Sequence, residues 1–285
     1  MSSEQKLRLT KDNLDTLLKE LAKEFRKLNG PSVPAEIILI GGAAVLAGYG
    51  FREMTTDVDA VIHASSSMKD AANRVGDRHG LPNGWLNSDF MRTGSYSPKL
   101  AEFSVYYKTF SNVLQIRTVS AEYLIAMKLR SGRKYKNDLS DIIGILAEHE
   151  KRNKPISMGR IDAAVKNLYG SWDGVPADSI AFINNAFQKG DYENIYAAVM
   201  EEEKHSKDML IRFEEDYPGV ATESNVNDIL ASLKQKKGIP VKKRSVLGQL
   251  KEYQRQQEMP VEKEGEGMPE KPHSSGKKDD PDKGR

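Results

Sequence analysis

Residues 38–62 read ILIGGAAVLAGYGFREMTTDVDAVI. An apolar run breaks at Gly41-Gly42 and gives way to a short Ala/Leu-rich stretch. After a threonine pair the chain returns to a second apolar run that holds Asp57-Val58-Asp59. The spacing predicts strand, glycine turn, short helix, strand, with the strands at 37–40 and 58–63 and the helix at 43–48. A strand ending at two glycines lets the following backbone pass close to a bulky anion, and a helix beginning there offers free N–H groups to phosphate. Alternate strand residues share a face, so Asp57 and Asp59 project together while Val58 points the other way. Two carboxylates on one face suit a hard divalent cation such as Mg2+, which takes oxygen ligands and keeps substrate phosphates and water in its shell.

Working outward, Leu14, Leu17, Leu18, Leu21, Phe25 and Leu28 form a helical stripe over 10–29, with Thr10 placed as N-cap and Gly30-Pro31 as the stop. Residues 68–80 read as a helix closed by glycine, and LPNGWLNSDF (81–90) as a turn-rich loop in which Trp85 is a packing anchor before it is a stacking platform. Strands are expected at 103–107 and 113–118 around a Ser111-Asn112 turn, then helices at 121–130 and 138–150. From 156 to about 233 the apolar repeats are helical throughout. Beyond that, Lys, Glu, Gly and Pro dominate, a composition that buries too little surface to offset its ordering entropy. The chain thus divides into a mixed α/β unit with an N-terminal helix (1–155), a helical appendage (156–233) and a charged tail expected to be disordered (234–285).

The 285 residues contain no cysteine, which leaves out disulfides, thiolate-bound zinc and a cysteine nucleophile and places any metal on oxygen or imidazole. The five histidines show no ligand spacing. With 43 basic and 41 acidic side chains the net charge is +2, too balanced to argue for nucleic-acid binding by itself. The polar N-terminus and the lack of any run of about 20 apolar residues make a cytoplasmic protein without membrane spans the expectation. A dinucleotide-binding reading fails, because GGAAVLAGYG has no G-x-G-x-x-G and the acids come as a pair.

Gly41-Gly42, a short helix and then Asp57-x-Asp59 in a strand resemble the nucleotidyltransferase superfamily, whose signature is a Gly-Gly or Gly-Ser turn followed by an Asp-x-Asp pair. More narrowly, the run is similar to the abortive-infection, toxin-like branch and its bacterial relatives. Three further stretches carry the likeness: GWLNSDF (84–90), YLIAMKLRSGR (123–133) and KNDLSDIIGIL (136–146). The likeness covers roughly residues 35–150. It implies an α/β (α+β) fold with a small mixed sheet flanked by helices, and transfer of a nucleoside monophosphate from an NTP to an RNA or protein acceptor. Asp57 and Asp59 are then the metal ligands for Mg2+, and Lys128 and Asp138 join them as site residues, with Asp141 as the second acid of its segment. Gly41, Gly42 and Arg133 fall to the nucleotide. A toxin–antitoxin or phage-defence setting, with a cognate antitoxin protein as partner, follows from the same branch.

Two positions depart from that pattern. Many active members carry serine where this chain has Gly42, and a third carboxylate on a later strand, whereas Leu114-Gln115-Ile116-Arg117 supplies none and Glu102 is the nearest acid before it. The alternative is therefore a catalytically silent nucleotidyltransferase fold that binds a partner protein or a nucleotide. A third reading, an RNA-binding adaptor, rests on the patch Arg130, Arg133, Lys134 and Lys136. Lys128 sits among apolar neighbours on its helix, so it must either snorkel to solvent or meet an acid.

Overall fold

The computed structural model describes residues 9–222 and 225–236; most of the stretch expected as tail, 237–285, lies outside the described residues. The chain opens with β1 (Leu9–Thr10) and α1 (Lys11–Asn29), then β2 (Ala35–Leu39), α2 (Gly41–Gly48), β3 (Met54–Thr55) and β4 (Val58–His63). α3 (Ser67–His79), β5 (Leu86–Asn87), β6 (Ser104–Phe110) and β7 (Leu114–Val119) follow. The remainder is helical: α4 (Ala121–Ser131), α5 (Asp138–Lys151), α6 (Met158–Tyr169), α7 (Ala177–Lys189), α8 (Tyr192–Asp216) and α9 (Val226–Lys236).

The expected elements are present with ends shifted by a few residues. Thr10 caps α1 in a reciprocal box with Asn13, each side chain accepting from the other's backbone N–H. Ser111 and Asn112 both take positive φ (52° and 58°), the backbone a two-residue hairpin turn requires between β6 and β7. Periodicity did not announce β1 and β3, which are two residues each and pair antiparallel, Leu9 with Thr55 and Thr10 with Met54. That pairing fastens the N-terminus of the described chain to the threonine pair preceding Asp57. α9 carries helix three residues past 233, where Lys234 pairs with Glu202 of α8.

The sheet is mixed, ordered β5-β4-β2-β7-β6, with β2 antiparallel to β4 and parallel to β7. β2 and β4 occupy central positions, so their alternating Ile37, Leu39, Val58 and Ala60 are fully buried. α1 packs on α3, α4 on α5 and α6, and α5 on α8. One apolar core runs from Leu9 to Val199, across residue 155. Trp85 belongs to it, 2% exposed with its indole N–H donated to the Ala72 carbonyl at 2.9 Å, a packing anchor with no free face for a base. No helix among the described residues is long and apolar enough to cross a membrane.

Candidate functional site

Register between β2 and β4 makes the site. Leu39 pairs with Ala60, and Ile40 donates its N–H to the Asp59 carbonyl at 2.9 Å, so the first glycine of the turn lands beside the second aspartate. Gly41 adopts φ +55°, and a Cβ placed there would sit 3.4 Å from Asp59 Oδ2. The backbone is what calls for glycine, since the left-handed conformation costs other residues about 1–2 kcal/mol, while a methyl group there would stand in ordinary van der Waals contact with the carboxylate. Gly41→Ala is accordingly expected to lose about 1–2 kcal/mol of stability in urea denaturation. A loss below a few tenths would mean that the turn relaxes freely. α2 begins at this glycine, and no side chain caps its first N–H groups.

Gly42, the position where the resemblance led to serine, has its side-chain space filled from elsewhere. A Cβ there would lie 2.5 Å from Thr55 Oγ1 and 2.9 Å from an Arg52 guanidinium nitrogen. Thr55 of β3 and Arg52 just before it thus bring a hydroxyl and a cation to the turn. Sequence reasoning passed over both; their position immediately ahead of the Asp57-x-Asp59 pair was the one signal available.

Asp57 and Asp59 are half-buried and open into a cleft of about 1000 Å³, at the top of the ~300–1,000 Å³ range of small-molecule sites. Burial first, and then the charge of Asp57, push the Asp59 carboxyl up to about 6, with Lys136 and Arg133 opposing. A half-buried carboxylate facing a second one of like charge forms a site that a divalent cation would relieve. Among the described residues no third acid joins them at metal-binding distance. Glu102 is exposed and outside the cleft lining. Asp89, just after β5, is near enough for its charge to act on Asp59. Mg2+ is commonly held by one or two carboxylates plus substrate phosphates, so the pair fits it.

The same cleft is lined by a chain of alternating charges that reaches the glycine turn through Arg52. Lys128, 6% exposed, donates to Asp138 Oδ1 at 3.2 Å and lies 2.7 Å from Asp141 Oδ2. Arg133 Nε donates to Asp138 at 2.8 Å, and Arg52 pairs with Asp141. Burial pulls the Lys128 ammonium down, but Asp141 and Asp138 outweigh it and leave the group above its ordinary value. For Asp138, burial pushes up while Lys128 and Arg133 more than compensate, holding the carboxyl well below the usual range. Of the two options open to Lys128, meeting an acid is the one realised, twice over. Asp138 is not the N-cap of α5 (Asn137 is), and its side chain is spent on the cations.

The basic patch is mostly committed. Arg130 lies over the Tyr169 ring and donates to the Gly94 carbonyl, and Lys134 pairs with Asp178 at 2.5 Å. Lys136 is exposed on the cleft rim. Such a patch offers little continuous surface to an RNA backbone.

All seven residues singled out from sequence (Gly41, Gly42, Asp57, Asp59, Lys128, Arg133 and Asp138) line this one cleft. Its far wall was not anticipated: Tyr196, Met200, Lys207, Leu210 and Ile211 of α8 face it. No curated protein and no solved structure matches the chain. Residues 16–150, which carry the glycine turn, the acid pair and the Lys128–Asp141 network, match a family described as a nucleotidyltransferase of unknown function (DUF6036), and that match supports the nucleotidyltransferase superfamily for this part of the chain.

Proposed function

We propose that the protein is a Mg2+-dependent nucleotidyltransferase that moves a nucleoside monophosphate from an NTP to an RNA or protein acceptor. The observation that carries this reading is the contact between the glycine turn and the acid pair, which sets uncapped helix N–H groups within reach of any phosphate held near Asp57 and Asp59. In the reaction an acceptor oxygen attacks the α-phosphorus, the bond from that phosphorus to the bridging oxygen of the β-phosphate breaks, and pyrophosphate leaves. Asp57 and Asp59 would hold Mg2+, which supplies charge neutralisation on the phosphates and on the attacking oxygen. The N–H groups of Gly41 and Gly42 receive the phosphates, and Arg133 and Lys136 on the rim face the same oxygens. Lys128 acts through Asp138 and Asp141, whose positions it sets.

The resemblance of the four stretches further supports a setting in toxin–antitoxin or phage defence, with a cognate antitoxin protein as partner. Among the described residues no third acid stands at the pair, which favours one rival, a silent fold that binds nucleotide without transferring it.

Calorimetric titration with Mg2+ and a nonhydrolysable NTP separates these readings when joined to label transfer from NTPs onto RNA or lysate protein. Wild type is expected to bind and transfer, and the Asp57→Asn/Asp59→Asn double variant to do neither. Binding without transfer to any acceptor selects the silent fold. Equal binding by both proteins removes the acid pair from the site.

A further inference from the structure

At its N-terminus α5 has a capping problem that is solved from a distance. Asn137 makes no side-chain cap bond, yet the buried N–H groups of Leu139 and Ser140 are satisfied. They donate at 2.9 and 3.3 Å to a single oxygen of Glu203, on α8, 64 and 63 residues further along. Glu203 is 5% exposed, and among the described residues its other oxygen has no hydrogen-bond partner, nor has the hydroxyl of Ser206 one turn on. Burying a carboxyl group with half its hydrogen-bonding capacity unused is costly, and a serine or aspartate next to the helix would satisfy the same N–H groups from a partly exposed position. What a local cap lacks is a hold on α8. Tyr196, Met200, Glu203, Lys207 and Leu210 are spaced 4, 3, 4 and 3 apart, one stripe of a helix, and the four flanking Glu203 line the cleft.

We propose that Glu203 is a positioning residue that locks the register of α8 against α5, so that one carboxyl group places both the Asp138/Asp141 network and the α8 wall of the cleft. α5 presents the acids on the turn that Glu203 binds, and α8 presents the opposing wall on the turns flanking it. A slip of either helix by one residue would rotate its cleft-facing side chains by about 100°. The matched family segment stops at residue 150, so the helix that locks the site comes from outside it. The consequence for nucleotide affinity rests on the proposed function; the register lock itself does not.

The test therefore has two arms, applied to Glu203→Gln, Glu203→Leu and Glu203→Asp in the full chain. Hydrogen–deuterium exchange reads the helices directly. Gln keeps the accepting oxygen and should protect the first turn of α5 and residues 196–211 as wild type does. Leu has no acceptor and Asp is one methylene too short, so both should speed exchange at least tenfold in these two segments while α1 and α3 stay protected. Titration of each α,β-methylene NTP with Mg2+, 15 °C below each variant's own melting temperature, reads the site: the dissociation constant should rise at least tenfold for Leu and Asp and return to the wild-type value for Gln. If Leu does not fold, Asp carries both arms. Faster exchange at α5 alone, with α8 and affinity unchanged, would reduce Glu203 to a simple cap and overturn the proposal. If wild type binds no NTP, the nucleotide reading fails and the exchange arm still decides the lock.

Discussion

Lys128→Met is expected to lower the unfolding free energy by about 3–5 kcal/mol, the scale of breaking a buried ion pair from one side. Methionine fills the aliphatic volume, so packing is conserved and the loss is electrostatic. Asp138 and Asp141 are each 2% exposed, and without the ammonium each keeps one arginine at the edge of the cleft and loses its buried partner. Removing the lysine and both acids together (Lys128→Met/Asp138→Asn/Asp141→Asn) should recover part of the loss, because the penalty comes from unpaired buried charge, and the part that remains falls on Arg52 and Arg133, which then lose their acids. Urea denaturation with an unchanged m-value is the measurement. A drop of less than 1 kcal/mol for the single variant would mean that water reaches the acids and that Lys128 is free to meet a substrate phosphate.

Glu203→Gln should become progressively more stable than wild type as pH rises from about 5 to 8. Burial is the main cause that pushes the Glu203 carboxyl up to about 8 from its ordinary 4.5; its hydrogen bonds to Ser140 and Leu139 pull the other way, and the charge of Asp141 adds to the rise. The sign follows from linkage. The folded state holds this proton where the unfolded chain has released it, so wild-type stability is fully present below about 4.5 and is lost as pH climbs through about 8. Glutamine, neutral throughout, does not share that loss. The gap between the two proteins should be near zero at pH 4.5, reach a few kcal/mol by pH 8 and level off above it. Thermal or urea unfolding of both proteins across that range measures it. A gap that does not change with pH would show that Glu203 is ionised in the fold at neutral pH, its desolvation offset by the helix N-terminus.

Legibility in the sequence followed the range of the interaction. The capped helix α1, the positive-φ turn at Ser111-Asn112, the β2–glycine–α2–β4 order and the shared face of Asp57 and Asp59 all rest on neighbours within about four residues, where periodicity and backbone sterics act. Those patterns placed Gly41, Gly42, Asp57 and Asp59 at one end of the frame, whereas Lys128, Arg133 and Asp138, which line the same cleft, were named only through the family resemblance. The two-residue strands β1, β3 and β5 escaped because strands of that length carry no period.

Tertiary structure alone decided how the charges were used. Nothing in the local stretch AVLAGYGFRE (44–53) distinguishes Arg52, and nothing in the 128–136 run says that Lys134 pairs with Asp178, that Arg130 packs on Tyr169 or that Lys128 and Arg133 turn to the same aspartate. Arg52 finds Asp141 across 89 residues and Glu203 caps α5 across 64. The sequence by itself determined the strand–turn–helix frame and the acid pair, since each is specified by steric and hydrophobic preferences of adjacent residues. Which cations are buried, which carboxyl group fastens α8 and what forms the far wall of the cleft depended on the packed fold, because the desolvation of a charge is set by whichever helix comes to cover it.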